Sequence, residues 1–266
     1  EKERARGMGL IGAAFGLGFV LGPALGGLLG HASLRTPVFF AAALTFANFV
    51  FAWVRLPESH TPDRKARLDL PTLAAPILSL PRELIRHRLA NLFGIAFLLT
   101  FALAALEATF AMMVPRVYGY GAAGVGLLLG FAGLAQALAQ GYLLGKLARR
   151  TDERVLVRAG LLLLAAGMFP LGSLGASAAL WILVATLSLG YGLASPSVAS
   201  LISRRTERHL QGEVLGVNQS ALSLARIFGP VAAGVAYEAL GPAAPYIAGG
   251  LIALAALAMT MRIERA

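Results

Sequence analysis

The 266-residue sequence contains no cysteine and little charge. Without cysteine, a disulfide framework and a thiolate metal site are both excluded. Its histidines, His31, His60, His87 and His209, lack the short spacing of metal ligands, so no metal is expected. Charged residues make up 14% of the chain and hydrophobic residues 58%, a balance too apolar for an ordinary soluble domain.

Signals for enzymatic chemistry are also missing, because no Ser/His/Asp or paired-carboxylate arrangement stands out. The segment Gly141–Lys146 is one residue too short for a phosphate-binding P-loop, and Leu147 stands where that motif needs a hydroxyl. The formal net charge is +10, but the basic residues lie between apolar stretches and form no stripe for nucleic acid. The sequence therefore predicts no enzyme, no cofactor and no nucleic-acid partner.

Long apolar stretches dominate what is present. Eight of them are long enough to cross the roughly 30 Å hydrocarbon core of a bilayer as helices. They cover residues 8–30, 37–56, 91–114, 123–145, 155–173, 178–202, 213–237 and 243–261. Open sheet edges cannot exist in lipid and barrel-like alternation is absent, so helix is predicted for all eight. The expected fold class is an all-α integral membrane protein, a polytopic bundle of eight transmembrane helices in a lipid bilayer.

The basic residues are distributed unevenly between the loops. All but three of the 23 Lys and Arg residues lie in the two tails and in alternate connecting segments. The other set of turns holds only Arg35 and Arg116, and Arg226 lies within an apolar stretch. Cytoplasmic loops carry such an excess, which places both termini on the cytoplasmic side of the inner (plasma) membrane. The polar, proline-containing segment 57–90 is then a central cytoplasmic loop.

The first apolar stretch contains small residues that recur every four positions, namely Ala14, Gly18, Gly22 and Gly26. On a helix they form one stripe nearly free of side chains, on which another helix can pack closely. Pro23 lacks an amide hydrogen and crowds the carbonyl of Phe19, which predicts a bend. Gly126, Gly130 and Gly133 in the fourth stretch offer a complementary surface.

Part of this pattern recurs near the C-terminus. Gly9, Gly22, Pro23 and Gly27 correspond, at one constant offset, to Gly216, Gly229, Pro230 and Gly234. Parallel repeats are a recurring construction in secondary transporters. If the first two stretches repeat the last two, the middle four have no counterparts, and four helices are expected to be missing before Glu1.

The spacing Gly9, Gly18, Gly22, Pro23, Gly26 and Gly27 resembles the signature on the fifth helix of drug/proton antiporters of the major facilitator superfamily. Segments Gly216–Ser220 and Ala225–Pro230 resemble that family's eleventh helix, and Leu56–Ser59 resembles the exit from its sixth. The resemblance covers essentially the whole chain, as helices five to twelve, and is greatest to the tetracycline-resistance and multidrug branch. That family has a loop motif whose second copy should follow the fourth stretch, at Gly145–Arg154. There Arg149 replaces the usual acidic residue, so a charge relay is not expected in this loop.

The resemblance implies a partial major facilitator fold. Residues 1–56 would be the last two helices of the N-terminal half, 57–90 the central loop, and 91–266 the six-helix C-terminal half. The implied function is proton-coupled export of small lipophilic compounds by alternating access, in partnership with the missing N-terminal helices. Two alternatives stay open: an uptake symporter for sugars or organic acids, and a non-transporting scaffold derived from a truncated transporter.

Two full charges, Glu107 and Arg226, lie inside apolar stretches. Each costs about 2.5–3.5 kcal/mol at a helix centre, so each is expected to face protein or water. A rise of about 1.5 Å per residue puts them at similar depths. They are interpreted as a structural ion pair. For Glu107 two further interpretations stay open: a glutamate that snorkels to the outer membrane surface, and a proton or cationic-substrate site.

Further polar residues share helix faces within the apolar stretches. Gln219, Ser223 and Arg226 form one stripe in the seventh stretch, and Gln136 and Gln140 form another in the fourth. Each stripe is explained at least as well by hydrogen bonding between packed helices as by a role in a substrate or proton pathway. The resemblance implies that the third and sixth stretches line a substrate cavity, which favours Glu107 and Tyr191 as lining residues.

Overall fold

The computed structural model describes residues 18, 21–22, 25–30, 33, 35–56, 89–175, 177–207 and 210–263, and within these ranges it contains no strand. The helices are α1 (Thr36–Arg55), α2 (Ala90–Tyr118), α3 (Ala122–Leu147), α4 (Glu153–Leu171), α5 (Ser177–Arg204), α6 (Gln211–Leu240) and α7 (Ala244–Thr260). Residues 18, 21–22 and 25–30 are helical as well. The predicted all-α fold class is confirmed.

The helices coincide with the apolar stretches. By length and composition, α1 to α6 are long and apolar enough to cross a membrane. Helix α7 is apolar but has 17 residues, at the lower limit for a span. The first stretch is described only in part. Gly9, Pro23 with its predicted bend, and residues 57–88 of the central loop lie outside the described residues.

Helix α2 is longer than predicted, because it continues through Pro115 to Tyr118. Pro115 lies in the last turn, where the missing amide removes a single hydrogen bond. Gly119 ends the helix with a positive φ of 73°, and its amide donates to the Pro115 carbonyl at 3.1 Å. Helix α4 begins with a side-chain cap, since the Asp152 carboxylate accepts a hydrogen bond from the Arg154 amide at 2.9 Å.

Helix α2 contacts four other helices of the described bundle, namely α3, α5, α6 and α7. Its buried face includes Leu92, Leu99, Phe110 and Met113. Hydrogen bonds tie it to its neighbours at two points: the Thr109 hydroxyl donates to the Tyr246 hydroxyl at 3.1 Å, and the Tyr118 hydroxyl donates to the Leu171 carbonyl at 2.7 Å. Helix α1 buries no residue against the described part of the chain, so its aromatic side chains face outward.

Helices α4 and α5 cross where two glycines face each other. A Cβ placed on Gly160 would lie 2.5 Å from the Gly190 carbonyl oxygen. A Cβ on Gly190 would lie 2.7 Å from both the Gly160 carbonyl oxygen and the Leu164 amide nitrogen. The two backbones therefore touch, as small residues allow in membrane helices. This crossing fixes the position of Tyr191, the residue next to Gly190.

Candidate functional site

Two adjoining cavities lie between α2, α3 and α5. The first, which we call the apolar lobe, has a volume of about 310 Å³. Its apolar lining includes Leu103, Leu106, Phe110, Leu129, Val184 and Leu187. The second, which we call the polar lobe, has a volume of about 420 Å³ and extends to α6. Its polar lining consists of Thr100, Glu107, Gln136, Gln140, Tyr191, Ser195 and Arg226.

The two lobes form one recess, because Leu103, Glu107, Gln136 and Tyr191 line both of them. From the apolar to the polar lobe, the lining moves to lower residue numbers on α2 and to higher numbers on α3 and α5. Short connections make successive helices antiparallel, so all three shifts point the same way along the bundle. The recess therefore changes from apolar to polar along the helix axes, with Glu107 at the boundary.

The recess brings together the two charges that lie inside predicted spans. Glu107 projects from α2 and Arg226 from α6, and both line the polar lobe. They are near enough for an electrostatic interaction. No hydrogen bond or ion pair joins these two described side chains, and both are exposed to the recess. The structure thus places the predicted pair in one lobe without forming the ion pair.

The other sequence-predicted residues divide into two groups. Gln136, Gln140 and Tyr191 line the polar lobe, and Tyr191 is 9% exposed. Gln219 and Ser223 lie on the same exposed face of α6 as Arg226 but line neither lobe. The Ser223 hydroxyl donates to the Gln219 carbonyl within its own helix at 2.9 Å. The α6 stripe therefore reaches the recess only at Arg226.

Among the buried polar residues that sequence reasoning did not single out are Thr100 and Asn218. Thr100 lines the polar lobe and is 4% exposed. Asn218 is 8% exposed, and its side-chain oxygen has no hydrogen-bond partner in the described structure. Asn218 shares a helix face with Val214, four residues earlier, and Ala225, seven later, and both of these are buried. Their apolar side chains at helical spacing were the available sequence signal.

Helix α3 is not a regular α-helix throughout, because residues Ala139–Leu143 form a π-helical turn. Ala139 is buried, and a Cβ on Gly192 of α5 would lie 2.7 Å from its Cβ. Such single π turns are frequent at functional sites. This one lies directly beside the polar lobe, between Gln136 and the exposed end of the helix.

The glycine motifs make contact at one position each. A Cβ on Gly27 would lie 3.0 Å from the Gly126 Cα, which places residues 25–30 against the start of α3. A Cβ on Gly229 would lie 3.0 Å from the Phe101 carbonyl oxygen of α2. The remaining described motif glycines, Gly18, Gly22, Gly26, Gly216 and Gly234, meet nothing within 4 Å in the described structure. Pro230 lies inside α6.

The prediction that no metal is bound rests on the four histidines, which lie outside the described residues. Among the residues that the structure describes, no group of three or more His, Cys, Asp or Glu residues could hold a metal ion. The ligands that the recess offers are instead one carboxylate, one guanidinium, amides and hydroxyls beside an apolar wall. Such a combination suits a small organic molecule.

Comparison with known proteins gives three consistent matches. The family model described as Major Facilitator Superfamily matches residues 1–230. The chain is 27% identical over 262 residues to multidrug resistance protein 2 of Bacillus subtilis, covering 98% of this chain and 64% of that protein. It is 28% identical to the class E tetracycline resistance protein of Escherichia coli, covering 90% of this chain and 58% of that protein.

A solved structure has a similar fold. The chain superposes on the human organic anion transporter MFSD10 (TETRAN) with a TM-score of 0.72 and 26% identity, covering 97% of this chain and 63% of that one. The chain therefore spans less than two thirds of the length of each of these three proteins.

Proposed function

Because the chain belongs to the Major Facilitator Superfamily, we propose that it acts in a secondary active transporter, as a proton-coupled exporter of small lipophilic compounds. The observation that supports this most directly is the recess, which joins an apolar lobe to a polar lobe at the Glu107 carboxylate. Volumes of about 310 and 420 Å³ lie in the range of small-molecule sites. The names of the multidrug and tetracycline resistance relatives support export of drug-like compounds.

Each part of the recess has a task in this proposal. The leucines and Phe110 of the apolar lobe accept the lipophilic body of the substrate, and the amides and hydroxyls orient it. Glu107 takes up and releases the proton, as an ionisable residue within a membrane span commonly does. Residues 1–56 and 91–266 belong to the two halves that rock about the recess, joined by loop 57–90 with both termini cytoplasmic.

The proposal is tested by measuring export from the full-length gene product in proteoliposomes. With the interior made acidic, tetracycline and ethidium added outside should accumulate against their gradients when the protein's cytoplasmic face is outward. A protonophore should stop accumulation, because it collapses the gradient without touching the protein. Empty liposomes carrying the same pH difference correct for passive trapping of basic compounds.

Other results would indicate one of the alternative functions. Accumulation that requires proton movement in the same direction as the substrate would indicate a symporter. Equal uptake with and without the protein, for both compounds and both gradient directions, would contradict transport of these compounds. The membrane orientation is checked separately by protease access to the two tails.

The contact at Gly27 yields a further prediction about export. Gly27→Leu should lower the export rate while leaving membrane insertion intact, because its side chain would push residues 25–30 away from Gly126. Gly212→Leu is the control, since Gly212 belongs to neither glycine motif and a Cβ there meets nothing within 4 Å in the described structure. Equal export rates for the two variants would show that the Gly27–Gly126 contact is not needed for the transport cycle.

A further inference from the structure

The polar lobe holds two opposite charges that do not neutralise each other by direct contact. Glu107 reaches it from α2 and Arg226 from α6, and no ion pair joins the two. No other described residue that lines either lobe carries a full charge. The lobe therefore presents one carboxyl group and one guanidinium, each accessible to a ligand in the recess.

A ligand of a single charge fits this arrangement poorly. A cation that pairs with Glu107 is repelled by Arg226, and an anion that pairs with Arg226 is repelled by Glu107. Either ligand also strips water from the charge that it does not satisfy, and inside a span that loss is costly. A ligand carrying both charges makes two charge-assisted hydrogen bonds and leaves neither protein charge unsatisfied.

The apolar lobe adds a third requirement. It begins at Glu107 and Tyr191 and extends away from Arg226, along a wall that includes Leu106 and Phe110. A ligand that fills both lobes therefore has an apolar body on the far side of its charged groups. Tyr191 and Gln136, which line both lobes, are placed to contact the junction between the body and the charged groups.

We propose that the recess prefers zwitterionic amphiphiles, organic molecules with an apolar body, a basic group that binds Glu107 and an acidic group that binds Arg226. This inference rests on the proposed export function, because it names the substrate class of the same recess.

Three probes with the same fluorophore test the preference: Nε-dansyl-lysine (zwitterion), 6-(dansylamino)hexanoate (anion) and dansylcadaverine (cation), each with its charged end away from the dansyl group. Binding to the purified full-length gene product is followed by dansyl fluorescence in an uncharged detergent, with empty micelles as the blank. Dansyl-lysine should bind about 10-fold or more tightly than either singly charged probe, the effect of one additional hydrogen bond to a charged group.

Two substitutions identify which charge binds which group. Arg226→Gln should weaken binding of dansyl-lysine and of the anionic probe by about 10- to 100-fold and strengthen binding of dansylcadaverine, which the guanidinium repels. Glu107→Gln should weaken binding of dansyl-lysine and dansylcadaverine and strengthen binding of the anionic probe, which the carboxylate repels. Arg116→Gln is the matched control, because Arg116 stacks on the Tyr237 ring at the end of α2 and lines neither lobe.

The outcomes separate this inference from the export proposal. Equal affinities of the wild-type protein for the three probes would overturn the zwitterion preference, and this comparison needs no variant to fold. Tighter binding of dansylcadaverine, unaffected by Arg226→Gln, would also overturn it. If proton-driven export is measured while either result is obtained, export stands and the substrate class is wrong. If the zwitterion preference is found but no proton-driven export is measured, the ligand preference stands and the export proposal is wrong.

Discussion

Gly190→Leu is expected to prevent folding of the bundle, so that little monodisperse protein is recovered after extraction. The reason is that a Cβ at Gly190 already lies 2.7 Å from two backbone atoms of α4, the Gly160 oxygen and the Leu164 nitrogen. Backbone atoms inside a helix cannot swing aside as a flexible side chain can. Overpacking of well-packed cores typically costs about 1–3 kcal/mol, and leucine here should exceed that range. Size-exclusion chromatography and thermal melting of the purified variants measure the loss.

Two further variants test whether the loss of folding comes from the contact between α4 and α5 at Gly190. Gly190→Ala should lower the melting temperature without abolishing folding, because one methyl group forces α4 and α5 apart by less than leucine does. Gly145→Leu should leave the melting temperature near that of the wild type, since Gly145 is exposed and a Cβ there meets nothing within 4 Å in the described structure. A Gly190→Leu protein as stable as the Gly145→Leu protein would show that the helices do not cross at Gly160 and Gly190.

The contrast between Gly190 and Gly145 also shows which part of the fold was predictable. The length of the apolar stretches was enough to locate the helices, because a segment that crosses lipid must form all its backbone hydrogen bonds internally. The partners of each helix were not predictable, since 31 glycines offer many possible crossing points and nothing local distinguishes Gly160 from Gly145. Helix α2 ends a few residues beyond the predicted boundary, because a proline such as Pro115 is tolerated within a last turn.

The candidate site was predictable to the extent that it contains charge. Glu107 and Arg226 were identified because an ionised side chain within a span needs a polar environment, and both line the same lobe. Neutral residues gave weaker signals: Gln219 and Ser223 share a helix face with Arg226, yet the recess lies beyond their reach. The apolar lobe had no sequence signal, because its leucines look like any others in a membrane helix.

Glu107→Gln is expected to eliminate export driven by a pH gradient while leaving the protein folded. Glutamine has the size of glutamate and keeps hydrogen-bonding capacity, but it cannot take up or release a proton. Accumulation in acid-interior proteoliposomes should fall to the level of empty vesicles. Glu238→Gln, a change near the end of α6 outside both lobes, should export at the wild-type rate. Wild-type accumulation by Glu107→Gln would contradict the assignment of the proton to Glu107.

A double variant decides between the two interpretations of Glu107, proton carrier or counter-charge for Arg226. If the carboxylate serves only to balance the guanidinium across the polar lobe, Glu107→Gln leaves one unbalanced charge within a span. Adding Arg226→Gln then removes that charge and should restore export, a strong coupling in a double-mutant cycle. If Glu107 carries the proton, the double variant has balanced charges but no group that titrates, and export stays absent. We expect the second result, because the two side chains face the recess without an ion pair between them.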